Sequence, residues 1–115
     1  MIMIFVKVPY SRGSLGKNNG CEKAPNLLVD GEIIQVDNSN IDLTMENISH
    51  AKGDFFIGGD HSITYGSFKG FAKEFSNPGI IVFDAHPDLE VSTNSVTHED
   101  YLSKLLRMAS LKKKM

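Results

Sequence analysis

Apolar positions recur along the chain with two periods. A run of β-branched and apolar residues from Ile2 to Val8 stops at Pro9 and reads as a buried strand. An Asp30-Gly31 turn leads into a second strand candidate, Glu32 to Val36, and Asp54 to Ile57 and Ile80 to Phe83 supply a third and a fourth. Helical spacing fills the intervals. Ile41, Met45 and Ile48 put one apolar face on a helix between Asn38 and Gly53, with Gly53 where a C-cap belongs. The clearest helix runs from Ser62 to Phe75, with Phe68, Phe71, Ala72 and Phe75 on one side and Asn77-Pro78-Gly79 as its stop. A last helix is predicted from His98 to about Leu111: Thr97 is its N-cap, Asp100 its third residue, and Leu102, Leu105, Leu106 and Ala109 its apolar side, with Lys112-Lys113-Lys114 at the end. Tyr10 to Asn26, holding Gly13, Gly16, Gly20 and Pro25, is loop chemistry that closes in a short helical turn at Ala24-Pro25-Asn26-Leu27-Leu28.

Strands alternating with helices predict βαβ units with right-handed crossovers, hence an α/β fold of three α/β/α layers around a mainly parallel sheet. At 115 residues and 41% hydrophobic content, residues 1–115 form a single domain. The formal charge of -2 provides no basic surface, which argues against nucleic acid or an anionic membrane as partner. Cys21, the single cysteine, has no intrachain disulfide partner, and no run approaches the ~20 apolar residues of a membrane span. Met1 to Val8 is too short for a signal peptide's core. The expectation is a soluble cytoplasmic protein.

Two strand ends carry the chemistry. In an extended backbone alternate side chains share a face, so Asp84, His86 and Asp88 would project together if the strand continues through Asp88. Pro87 biases His86 toward extended geometry. His61 lies at the carboxyl end of another strand, where open parallel sheets bind ligands. The two ends could therefore converge on one metal. Gly58-Gly59-Asp60-His61-Ser62 also has a plainer reading, a tight strand-to-helix turn capped by Asp60 or Ser62. A phosphate loop is a weaker third, since the P-loop lysine and serine are not at their spacing.

Taken together and in order, Gly58-Gly59-Asp60-His61-Ser62 and Asp84-Ala85-His86-Pro87-Asp88 closely resemble the first two metal motifs of the arginase, agmatinase and formiminoglutamase (ureohydrolase) family, and Gly13 to Leu28 is similar to its early glycine-rich loop. The resemblance covers most of the chain and corresponds to the family's N-terminal half. It implies an arginase-like fold, here truncated, and manganese-dependent hydrolysis of linear guanidines or amidines, in which a hydroxide held by two Mn²⁺ attacks the guanidinium carbon. His61, Asp84 and Asp88 would ligate one ion, and His86 the other with Asp84 shared. Asp88 would also handle the nucleophile's proton. His98 resembles the family's proton-shuttling histidine, although Glu99 follows it where glycine is common; alternatively His98 only occupies the first turn of the last helix.

A third family motif, Ser-x-Asp-x-Asp, does not occur before Met115. Asp84 and Asp88 neutralise one divalent ion, so one Mn²⁺ or a weakened pair is expected. A truncated product, a fragment, or one half of a split enzyme would each account for this, with a homo-oligomer or a complementing C-terminal half as partner and a small guanidino or amidino substrate. The alternative is a catalytically inactive metal-binding or interaction module. The resemblance places substrate contacts in Glu90 to Thr97, where Ser92, Thr93, Asn94 and Ser95 offer hydrogen bonds.

Overall fold

The computed structural model of the chain describes residues 2–91 and 94–114, with side chains described through Ala109. Three strands form an all-parallel sheet, with β1 (Phe5–Val8) between β2 (Glu32–Ile33) and β3 (Phe55–Gly58). Four α-helices accompany them: α1 (Ala24–Leu28) and α2 (Ile41–His50) cross between successive strands, and α3 (Ile63–Ala72) and α4 (Tyr101–Lys114) follow β3. Strand β1 takes the centre because both of its faces are covered. Val6 and Val8 are fully buried, and Lys7, turned to the other face by the strand's two-residue alternation, is only 9% exposed. The core gathers around these valines from Tyr10, Ile34, Met45, Ile48, Ile63, Val96, Tyr101 and Leu105.

Strand β1 is shorter than the apolar run that predicts it. Ile2 and Met3 are exposed, because backbone pairing toward β3 begins only at Ile4, whose carbonyl accepts the N–H groups of Asp54 and Phe55. Helix α1 opens with Pro25 in its first turn, as expected. Asn40 starts α2 by accepting the Leu43 N–H at 3.0 Å. The helix ends where Ala51 turns extended, so Gly53 is not its C-cap.

Helix α3 buries a different face from the one its phenylalanines suggest. Ile63 and Gly66 are buried, whereas Phe71 and Phe75 are about half exposed. The reason is the close approach of α2. A Cβ on Gly66 would lie 2.9 Å from Ile48 Cβ, and one on Gly70 would lie 2.2 Å from the Ser49 carbonyl oxygen. Glycines, not large apolar residues, make this contact; of the aromatic ladder, Phe68 packs against the core while Phe71 and Phe75 stay about half exposed. In helix α4 the predicted Leu102 and Leu105 do face the core, joined by Tyr101 and Met108, while Leu106 is 54% exposed. Its approach is a capping pair, in which the Asp100 carboxylate accepts the Thr97 N–H at 2.8 Å and Thr97 Oγ1 accepts the Glu99 N–H at 3.2 Å.

The fourth predicted strand does not form. Residues 80–83 pair with no strand, and Ile81 and Phe83 are 85% and 94% exposed. A strand exists only through its partner, and the free edge of β3 is separated from this segment by an open cleft of about 450 Å³ bounded also by Phe56, Phe68 and Phe71.

Candidate metal centre

The first bank of the centre is the turn that follows β3. Asp60 is 5% exposed and both of its carboxylate oxygens are used: Oδ1 accepts the Ser62 N–H at 2.8 Å and Oδ2 accepts the Gly13 N–H at 3.1 Å. Asp60 thus caps the entry to α3, and the Ser62 side chain does not. Gly13 in turn accepts the His98 N–H on its carbonyl at 2.8 Å. A Cβ at Gly13 would stand 2.1 Å from Ser62 Oγ, so only glycine lets the early loop seat against the strand end. One buried carboxylate therefore fixes the backbone beside both His61 and His98.

The second bank is a bent loop. The chain bends at Ala85 and His86, and Asp88 has φ 50°, in the left-handed region. The alternation of an extended strand accordingly does not operate through Asp88. The bend nonetheless brings Asp84 and Asp88 together and turns His86 outward, its side chain 81% exposed with Nδ1 3.8 Å from Asp84 Oδ1. The His86 N–H donates to Asp84 Oδ1 at 3.0 Å and so fixes that carboxylate.

The banks meet at His61. Its Nδ1 lies 2.8 Å from Asp84 Oδ2 and 4.0 Å from Asp88 Oδ2. One ligand atom from each of His61, Asp84 and Asp88 falls within 4.8 Å of the others, a His/Asp group able to hold a metal ion. The electrostatics agree. The His86 N–H, and next a hydrogen bond with Asp88, hold the Asp84 carboxyl down at about 2. Burial, and next the neighbouring Asp84, push Asp88 up. Two carboxylates this close repel each other when both are ionised, and a cation between them would relieve that repulsion. An imidazole nitrogen and two carboxylates suit Mn²⁺ or another borderline-to-hard divalent ion, so the residues fit the metal that the motifs imply.

Tyr101 completes the surroundings, and neither spacing nor motif pointed to it. It is fully buried, its ring lies against His61 with centroids 4.5 Å apart, and its hydroxyl is 3.2 Å from His61 Nε2. Burial, followed by the charges of Asp88 and Asp84, raises its pKa to about 12. The one available signal was its place in the α4 heptad, one turn ahead of Leu105.

His98, which precedes α4, has a largely covered side chain whose buried Nε2 lies 3.8 Å from Glu99 Oε1 and has no hydrogen-bond partner among the described residues. With His86, Asp88 and Glu90 it lines a cavity of about 750 Å³. Lys17 and Glu99 form an ion pair on the wall of that cavity, which keeps the Glu99 carboxyl below its usual range. Of the predicted substrate loop, Ser92 and Thr93 lie outside the described residues. The Asn94 carbonyl accepts from Lys104 Nζ at 2.8 Å, and Ser95 lines a neighbouring cavity with Arg12 and Val96.

The chain thus combines an all-parallel α/β sheet with a His/Asp group able to hold a metal ion. The family model described as the arginase family matches residues 21–114, and the chain belongs to that family. It is 36% identical over 64 residues to an arginase of Staphylococcus aureus (strain COL), covering 56% of this chain and 21% of that protein. To the arginase of Bacillus subtilis (strain 168) it is 44% identical over 48 residues, 42% of this chain and 16% of the other. With an arginase of Brevibacillus brevis it shares 31% identity over 64 residues, 56% and 22% of the two chains. The matches thus span about a fifth of the length of these relatives. No solved structure matches the chain at a significant level. Among the described residues no helix is long and apolar enough to cross a membrane.

Proposed function

We propose that the chain carries the first half of the metal centre of a cytoplasmic, manganese-dependent hydrolase of linear guanidines or amidines. The observation that supports this most directly is the convergence of His61, Asp84 and Asp88 from separate segments of the sequence. His61 and the two aspartates would hold a first ion; His86, sharing Asp84, would reach a second by turning inward from its exposed position. Bound at such a site, divalent manganese supplies a water acidic enough to act as nucleophile at neutral pH. Asp88, whose raised pKa reflects its covered position, is placed to take the proton. His98 would pass a proton on toward the leaving amine from the wall of the shared cavity. Glu90 and Asp88 on that wall favour a cationic substrate such as a guanidinium.

Asp84 and Asp88 balance one divalent ion, so turnover is expected to need carboxylates from a complementing C-terminal half or from a second copy. The free edge of β3 and the exposed Ile81 and Phe83 favour such a partner. A second reading, a catalytically inactive metal-binding module, is favoured by the outward His86. The test is calorimetric titration with Mn²⁺, together with urea and ammonia release from arginine, agmatine and formiminoglutamate. We expect a single ion bound, no release by the chain alone, and release when the C-terminal half of an arginase-family chain is added. Failure to bind Mn²⁺, or binding unchanged when His61→Ala and Asp84→Ala are combined, rules out the metal centre. Binding without release in the complemented sample selects the inactive module.

A further inference from the structure

We infer that Tyr101 is a positioning residue of the metal centre: once Nδ1 of His61 is given to an ion, the Tyr101 hydroxyl becomes the acceptor for Nε2–H and so fixes the ring and its tautomer. The inference rests on the metal-binding reading above and adds to it a residue outside both motifs.

The geometry supplies the argument. His61 has two ring nitrogens and only one faces the carboxylates: Nδ1 lies 2.8 Å from Asp84 Oδ2 and 4.0 Å from Asp88 Oδ2. Nδ1 is therefore the atom that shares a centre with them. A neutral imidazole that gives one nitrogen to a metal carries its proton on the other, and that N–H needs an acceptor to set the ring's orientation. Tyr101 Oη stands 3.2 Å from Nε2 and 3.4 Å from Nδ1, and its ring is tilted 37° on the imidazole at 4.5 Å. A hydroxyl so nearly equidistant from both nitrogens lies over the ring rather than in its plane. While Nδ1 is bonded to Asp84, the hydroxyl lies between two roles; a small rotation of the imidazole toward an ion between Asp84 and Asp88 would bring Nε2–H onto it.

Tyr101 cannot easily move aside. It is fully buried at the start of α4, one helical turn from the buried Leu105. A hydroxyl held in one place offers the imidazole N–H a fixed acceptor. Phenylalanine would keep the ring contact and remove only this link.

The test compares the wild-type chain with Tyr101→Phe, using Zn²⁺ as a diamagnetic probe. Calorimetry gives affinity, circular dichroism confirms the fold, and nitrogen-15 spectra of the imidazoles report the tautomer. In the Zn²⁺-loaded wild type, His61 should show an Nε2–H signal slow to exchange with water. In Tyr101→Phe that signal should be lost to fast exchange, with affinity about 10- to 100-fold lower, the range for partners that orient metal ligands. Equal affinity with a retained Nε2–H signal overturns the role of Tyr101 and leaves the metal centre standing. No Zn²⁺ binding by the wild type overturns both. If Tyr101→Phe does not fold, the wild type decides alone: a protected Nε2–H on His61 together with a tyrosine ultraviolet difference spectrum on Zn²⁺ loading supports the role, and the lack of either overturns it.

Discussion

His61 and Asp84 stand 2.8 Å apart, yet the chain reaches them by unlike routes. His61 follows a strand in register with β1 from Phe5 to Val8 and sits beside a carboxylate, Asp60, buried to 5% exposure and bonded twice to backbone. Asp84 follows a segment that pairs with no strand among the described residues and leaves Phe83 94% exposed; its only backbone support is local, the His86 N–H, and its contact with His61 is the bridge between the two banks. The histidine side is set by long-range structure and the aspartate side by short-range structure. A metal bound between them would tie the looser bank to the firmer one.

The largest effect should come from breaking the firm bank. Asp60→Ala would leave the N–H groups of Gly13 and Ser62 without their acceptor, at a cost of about 3 kcal/mol in urea unfolding. A loss within about 0.5 kcal/mol, the range of ordinary surface changes, would show that the bank is not anchored there.

An intermediate effect is expected from pH, and it differs between the two aspartates. Asp88 is raised in the folded chain, so its contribution to stability is fully present below the ordinary carboxylate pKa and is lost as pH climbs through the raised value. Asp84 is lowered to about 2, so its contribution is present above the ordinary value and lost as pH falls toward 2. Without metal, melting temperatures across the acid range should therefore show opposing slopes. Mn²⁺ should remove the Asp88 loss, because a cation favours its ionised form, and Mn²⁺ affinity should rise with pH until Asp88 has lost its proton. Identical pH profiles with and without Mn²⁺ would place the ion elsewhere.

The smallest effect belongs to the loose bank. Phe83→Ser should change stability by no more than about 0.5 kcal/mol in the chain alone, since the side chain is nearly bare. A cost of about 3 kcal/mol, typical of a buried phenylalanine, would show that residues 80–83 enter a sheet. Repeated with a complementing C-terminal half, the same variant should become costly if that half covers the segment.

How much of this was legible beforehand depended on the range of the cause. Local causes could be read: Pro25 in the first turn of α1, the Thr97–Asp100 cap, and the joint appearance of His61 and Asp84 in two motifs. Contacts made by the absence of a side chain could not. Gly66 and Gly70 carry the α2–α3 contact and add nothing to an apolar pattern, so of the predicted phenylalanine face only Phe68 packs against the core while Phe71 and Phe75 stay half exposed. Residues 80–83 look like a strand because their composition is strand-like, but pairing is a property of a neighbour. Tyr101 escaped notice because its partner lies 40 positions away.

Asp88 narrows the alphabet of its position in two independent ways. At φ 50° the backbone accepts glycine, asparagine and aspartate with little penalty and strains most other side chains. The cluster with His61 and Asp84 asks for a negative oxygen ligand. Shape alone would permit asparagine and charge alone would permit glutamate; aspartate is the residue that answers both requirements.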